Sequence, residues 1–98
     1  MNTRSGRTHN RSLYEAVLEL ETVEECIDFF EDLCTMSELM AMEQRYQVAK
    51  ALHAGKIYNE ILAETGASSA TISRVNRSLQ YGNGGYELVF SRLEKSEK

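Results

Sequence analysis

Apolar side chains recur at three- and four-residue intervals along most of this chain, and no stretch alternates as a strand would. Leu13, Ala16, Val17 and Leu20 share one helical face and predict a first helix from about residue 13. Thr22 and Glu25 have the Thr-x-x-Glu spacing of a capping box and open a second helix. Its inward face is expected to be Cys26, Ile27, Phe30, Leu33 and Cys34. Thr35 and Glu38 repeat the box and start a third helix that runs to about Leu52. Leu39, Met42, Tyr46, Ala49 and Leu52 lie on its expected face, and Gly55 is the natural stop. Two short helices follow, over about 57–64 and 69–81. Residues 82–85 (Gly-Asn-Gly-Gly) then break the pattern. A last helix over about 86–95 places Tyr86, Val89, Phe90 and Leu93 on one side. Proline is absent. The expectation is an all-α chain of six helices.

The short pair, IYNEILAETGASSATISRVNRSLQY over 57–81, has the layout of a helix-turn-helix. Ile61, Ala67, Ile72 and Val75 are spaced to hold the two helices together. Gly66 sits where the chain must leave the first helix, a position that favours positive φ. Ser68 or Ser69 can cap the second helix. Ser69, Ala70, Thr71, Ser73, Arg74 and Arg77 are left to point outward. Small hydroxyls and arginines suit a surface that meets phosphates and base edges.

The length of 98 residues is that of one domain, predicted over 13–98 behind a disordered basic arm, 1–12. A chain this short buries only about 60–65% of its unfolded surface, so several amphipathic helices point to an intertwined homodimer. Two-fold symmetry would also supply a helix-turn-helix with two half-sites. No apolar run is long enough for a membrane span, and the N-terminus lacks an apolar signal region. A cytoplasmic protein with no membrane partner is expected. Cys26 and Cys34 are eight residues apart without metal spacing and read as buried free thiols.

The net charge of −4 is unevenly spread. Residues 1–12 carry Arg4, Arg7 and Arg11 and no acid, whereas residues 13–43 carry ten acids and no base. Residues 45–80 carry Arg45, Lys50, Lys56, Arg74 and Arg77 against Glu60 and Glu64 alone. The local positive balance matters more for DNA docking than the sum. Lys56 and Arg77 are candidate phosphate partners on charge and position. No metal site is expected. No nucleophile is paired with a base, and His53 reads as isolated near a helix end, so no enzyme is expected.

Thr65–Arg74, TGASSATISR, resembles the recognition-helix start of the tryptophan repressor family, and of its small TrpR-like relatives. Thr35, Ala41, Arg45 and Leu52 fall at matching offsets. The resemblance covers about residues 13–95 and implies an intertwined homodimer acting as a transcriptional repressor. It places base-reading positions at Ser69, Ala70 and Ser73 and a phosphate contact at Thr71. Asn59 stands where the tryptophan repressor has an arginine, so a different operator is expected. Ser68 and Arg74 complete the expected DNA-binding set. The family's ligand pocket corresponds to Thr35, Arg45, Arg74, Val75 and Ser78. Val75 replaces a small glycine, and a β-branched side chain there would narrow or fill the pocket. No cofactor is therefore expected. A corepressor other than tryptophan stays open, and without one Arg45 and Arg74 would pair with acids such as Glu43 or contact phosphates. The expected function is a sequence-specific DNA-binding regulator. The alternative is a helical adaptor that presents the acidic 13–43 half to a basic protein.

Overall fold

The computed structural model describes residues 8–96. Six helices account for nearly all of them: α1 (Arg11–Val17), α2 (Val23–Leu33), α3 (Met36–His53), α4 (Tyr58–Thr65), α5 (Ser69–Tyr81) and α6 (Gly85–Ser96). No strand occurs among the described residues. The chain divides between Met40 and Ala41 into two compact units, where the sequence pattern leads to one domain over 13–98.

Local side-chain caps set the helix starts in the first unit. Asn10 Oδ1 accepts the Ser12 N–H at 3.0 Å, so α1 begins at Arg11 rather than at Leu13. The arm predicted over 1–12 therefore gives way to helix before its end, and Arg4 and Arg7 lie outside the described residues. Thr22 Oγ1 accepts the Glu25 N–H at 3.0 Å, while Glu25 Oε1 reaches one residue further back and accepts the Glu21 N–H. Thr35 and Glu38 close their box in both directions, at 3.1 and 2.9 Å. Each such cap contributes about 1 kcal/mol.

Among its described residues the first unit has no core. No residue of α1 or α2 is buried. Cys26, Phe30 and Cys34 are half-buried, but the predicted inward residues Ile27 and Leu33 are exposed, as are Leu18, Val23, Met36 and Met40. Both cysteines are free thiols but neither is buried, which corrects that part of the expectation.

The second unit has the core: Val48, Ala49, Ala51, Ile61, Ala67, Ile72, Val75 and Phe90, with Tyr46, Leu52, Leu79 and Tyr86 packed against it. Its α3 stripe differs from the prediction. Val48 and Ala51 are buried, while Met42 is exposed. Val48 and Ala49 are successive residues about 100° apart around the helix, so α3 buries a wide arc here rather than a narrow seam.

His53, expected to be isolated, has close partners on α6. Its Nε2 lies 3.0 Å from Glu94 Oε2 and its Nδ1 3.5 Å from Glu87 Oε1. Between these two acids Phe90 meets the imidazole at a ring separation of 4.6 Å. Glu87, Phe90 and Glu94 recur at helical spacing, so one face of α6 grips the end of α3.

Truncating Ile61 to Ala removes a fully buried side chain from the centre of this core. Denaturant unfolding of Ile61→Ala is expected to show a loss of about 2–5 kcal/mol.

Candidate nucleic-acid interface

The interface is built on the turn between α4 and α5. Gly66 ends α4 with φ 68°, and its N–H donates to Leu62 O at 2.9 Å. The Thr65 hydroxyl donates to Ile61 O at 2.8 Å and accepts the Ala67 N–H at 3.1 Å. From α3, Gln44 Nε2 donates to Thr65 O at 3.1 Å. Ala67 is fully buried. The turn is thus fixed by the left-handed glycine, a threonine that bridges it, an amide from α3 and a buried methyl group. The open space around Gly66 shows that conformation, and not crowding, requires glycine there.

Ser68 is the residue that caps α5. Its Oγ accepts the Thr71 N–H at 3.2 Å and lies 3.2 Å from Thr71 Oγ1. Thr71 is half-buried by this arrangement. Ile72 and Val75 turn into the core. Ser69, Ala70, Ser73, Arg74, Arg77 and Ser78 are exposed. The first turn of α5 has no acidic residue. The N-terminal end of this helix therefore keeps its partial positive charge uncompensated. Tyr81, four residues beyond Arg77, is 81% exposed and was not singled out by the sequence pattern.

On α4, Asn59 is exposed near the start of the helix. Ile57 precedes the helix and has no side-chain acceptor, so Glu60 Oε1 accepts the Ile57 N–H instead, at 3.0 Å. Lys56 is not an unengaged cation. Its Nζ donates to both carboxylate oxygens of Glu64, at 2.7 and 2.8 Å. Glu64, like Tyr81, is a residue of this surface that the sequence pattern did not single out. The shortage of acids in 45–80 was the available signal that each would matter.

The residues proposed for a ligand pocket have separate fates. Thr35 is engaged in the capping box of α3. Arg45 is half-buried, and Arg74 and Ser78 are exposed. No hydrogen bond or ion pair reaches either arginine among the described residues, so of the two roles expected without a ligand, pairing with acids such as Glu43 is not formed and contact with phosphates is left. Val75 is 2% exposed and belongs to the core that holds α5. Its isopropyl group already occupies the inner side of that helix. Among the described residues no group of side chains could hold a metal ion.

Six helices with a core-anchored turn between α4 and α5 define an all-α protein of the helix-turn-helix class. Residues 8–94 match the family model described as Trp repressor protein. The chain is 48% identical over 85 residues to the uncharacterized protein YerC of Bacillus subtilis (strain 168), an alignment covering 87% of this chain and 82% of that one. It is similar to the crystal structure of a candidate Trp repressor from Staphylococcus aureus, with a TM-score of 0.81 and 51% identity over 84% of this chain and 82% of the other. A TrpR-like protein from Eubacterium eligens ATCC 27750 superposes with a TM-score of 0.83 and 52% identity, over 86% and 87% of the two chains. This chain belongs to the Trp repressor family, a family of DNA-binding regulators.

Val75 is the core side chain of α5 at which the resemblance leads to a narrowed ligand pocket. Changing Val75 to Gly removes a core side chain and adds the helix cost of glycine, with an expected loss of about 2–4 kcal/mol in chemical denaturation. Titration calorimetry of the unaltered protein with L-tryptophan is expected to give no binding heat, and heat appearing only in Val75→Gly would locate the obstruction at this side chain.

Proposed function

We propose that this chain is a sequence-specific transcriptional repressor that binds double-stranded DNA as a homodimer in the cytoplasm, without tryptophan as corepressor. One observation carries the DNA-binding part. The exposed face of α5 combines small hydroxyl residues with Arg74 and Arg77, has no acid in its first turn, and is locked to its frame by buried Ile72 and Val75.

Docking proceeds without chemistry on the DNA. The start of α5 enters the major groove, where Ser69, Ala70 and Ser73 are small enough to bring the helix close to base edges. Thr71 and Arg77 contact phosphates, and exposed Asn59 of α4 adds a further contact. Side chains this short leave room for reading through water and groove shape. The first unit supports the dimer. Its helices bury no residue of their own and expose Leu18, Val23, Ile27, Leu33, Met36 and Met40. A second copy that interleaves with them would cover that apolar surface, and symmetry would then set two reading helices about one DNA turn apart.

The test is selection from a random double-stranded library at physiological salt, with and without L-tryptophan. A palindromic consensus with half-sites about one helical turn apart, identical in both conditions, is the expected result. Lack of enrichment together with flow-through on heparin at low salt would instead favour a protein-binding adaptor. The double variant Thr71→Ala with Arg77→Ala is expected to lose about tenfold or more in affinity for the selected site, with an unchanged sedimentation coefficient. Full affinity in that variant would exclude this docking mode.

A further inference from the structure

Five basic residues and two acids lie between positions 45 and 80, and the structure accounts for both acids. Glu60 caps its own helix through the Ile57 N–H. Glu64 takes both of its oxygens to Lys56 Nζ, at 2.7 and 2.8 Å. Among the described residues, Lys56 is the one lysine or arginine of that stretch held in an ion pair. The pair is well exposed, with 40% and 48% of the two side chains accessible, so solvent and other anions can reach it. It spans α4, joining the residue before its N-cap to its penultimate residue.

We propose that Glu64 is an internal competitor for DNA phosphate: it occupies Lys56 in the free protein and is displaced when a phosphate takes its place. This rests on the DNA-binding reading given above. A carboxylate and a phosphate offer an ammonium the same kind of charged oxygen acceptor. An exposed ion pair is weak, so it exchanges readily, yet it cancels the charge that would otherwise draw Lys56 to any duplex. Sequence-independent affinity comes from such lysine–phosphate contacts. Glu64 therefore lowers the sequence-independent share of DNA affinity that Lys56 would otherwise supply. It tunes DNA binding without touching the nucleic acid.

The test measures binding of the full chain to a mixed-sequence duplex of about three helical turns over a range of salt, for the unaltered protein, Glu64→Gln, Lys56→Gln and the double variant. Glu64→Gln is expected to tighten binding by about three- to tenfold at low salt and to steepen the dependence of log K on log salt by about 0.9, the increment for one added phosphate contact. Adding Lys56→Gln should abolish that gain. If the gain survives in the double variant, it reflects net charge alone and the proposal fails. If Glu64→Gln gives no gain while the unaltered protein still binds, the proposal fails and the DNA reading stands. If none of the four proteins binds in any salt, the DNA reading itself fails. Circular dichroism of each variant, expected to be unchanged, keeps unfolding from imitating any of these results.

Discussion

The complete burial of Ile61 is the constraint on which the rest of the reading surface depends. A helix of eight residues is too short to persist alone in water, so α4 exists because its one buried side chain is fixed in a core. The same core receives Ile72 and Val75 from α5 and Val48 from α3. Orientation of the exposed arginines and hydroxyls is thus inherited from apolar contacts on the opposite side of the same helix. The backbone at the turn has little freedom left, because the bridging threonine and the amide of Gln44 occupy its polar groups.

Electrostatics here are a matter of placement. An overall excess of acid coexists with a stretch in which bases outnumber acids. Where acids do occur near the reading helices, they are tied to defined partners, one to a backbone amide and one to a lysine. The acids of α6 likewise meet a histidine instead of facing solvent alone. This economy keeps negative charge away from the start of α5, where a phosphate would feel it most.

Local chemistry was legible from the sequence, and contacts between distant residues were not. The capping threonines, the left-handed Gly66, the serine cap and the six-helix order all depend on residues within four positions of each other, so spacing alone identifies them. The start of α1 was placed two residues late because an asparagine followed by arginine and serine reads as tail until its cap bond is seen. The buried arc of α3 was misjudged because Val48 and Ala51 sit between stripe positions, and only packing from other elements reveals that they are covered. The partners of His53, which reads as isolated, and of Lys56, which reads as a phosphate contact, escape the pattern for a related reason. These carboxylates are 34, 41 and 8 residues further along, beyond any helical spacing rule. Of the residues of α5 expected to face outward, Ser69, Ala70, Ser73, Arg74 and Arg77 are exposed, since they follow from the buried ones by periodicity, whereas Thr71 is half-buried. Which ligand that face meets is chemistry that periodicity does not encode.

The caps at Asn10, Thr22 and Thr35 have a consequence for how the coreless half of the chain assembles. Each directs its helix to begin at a fixed residue using atoms a few positions away, with no help from tertiary packing. The segment is thereby biased toward helix before anything covers its apolar side chains. Ordering a backbone residue costs about 1–2 kcal/mol, and a pre-shaped segment has spent part of that entropy in advance. Within the proposed dimer, association would then begin from a restricted set of conformers, and fewer encounters would be lost to chains in the wrong shape.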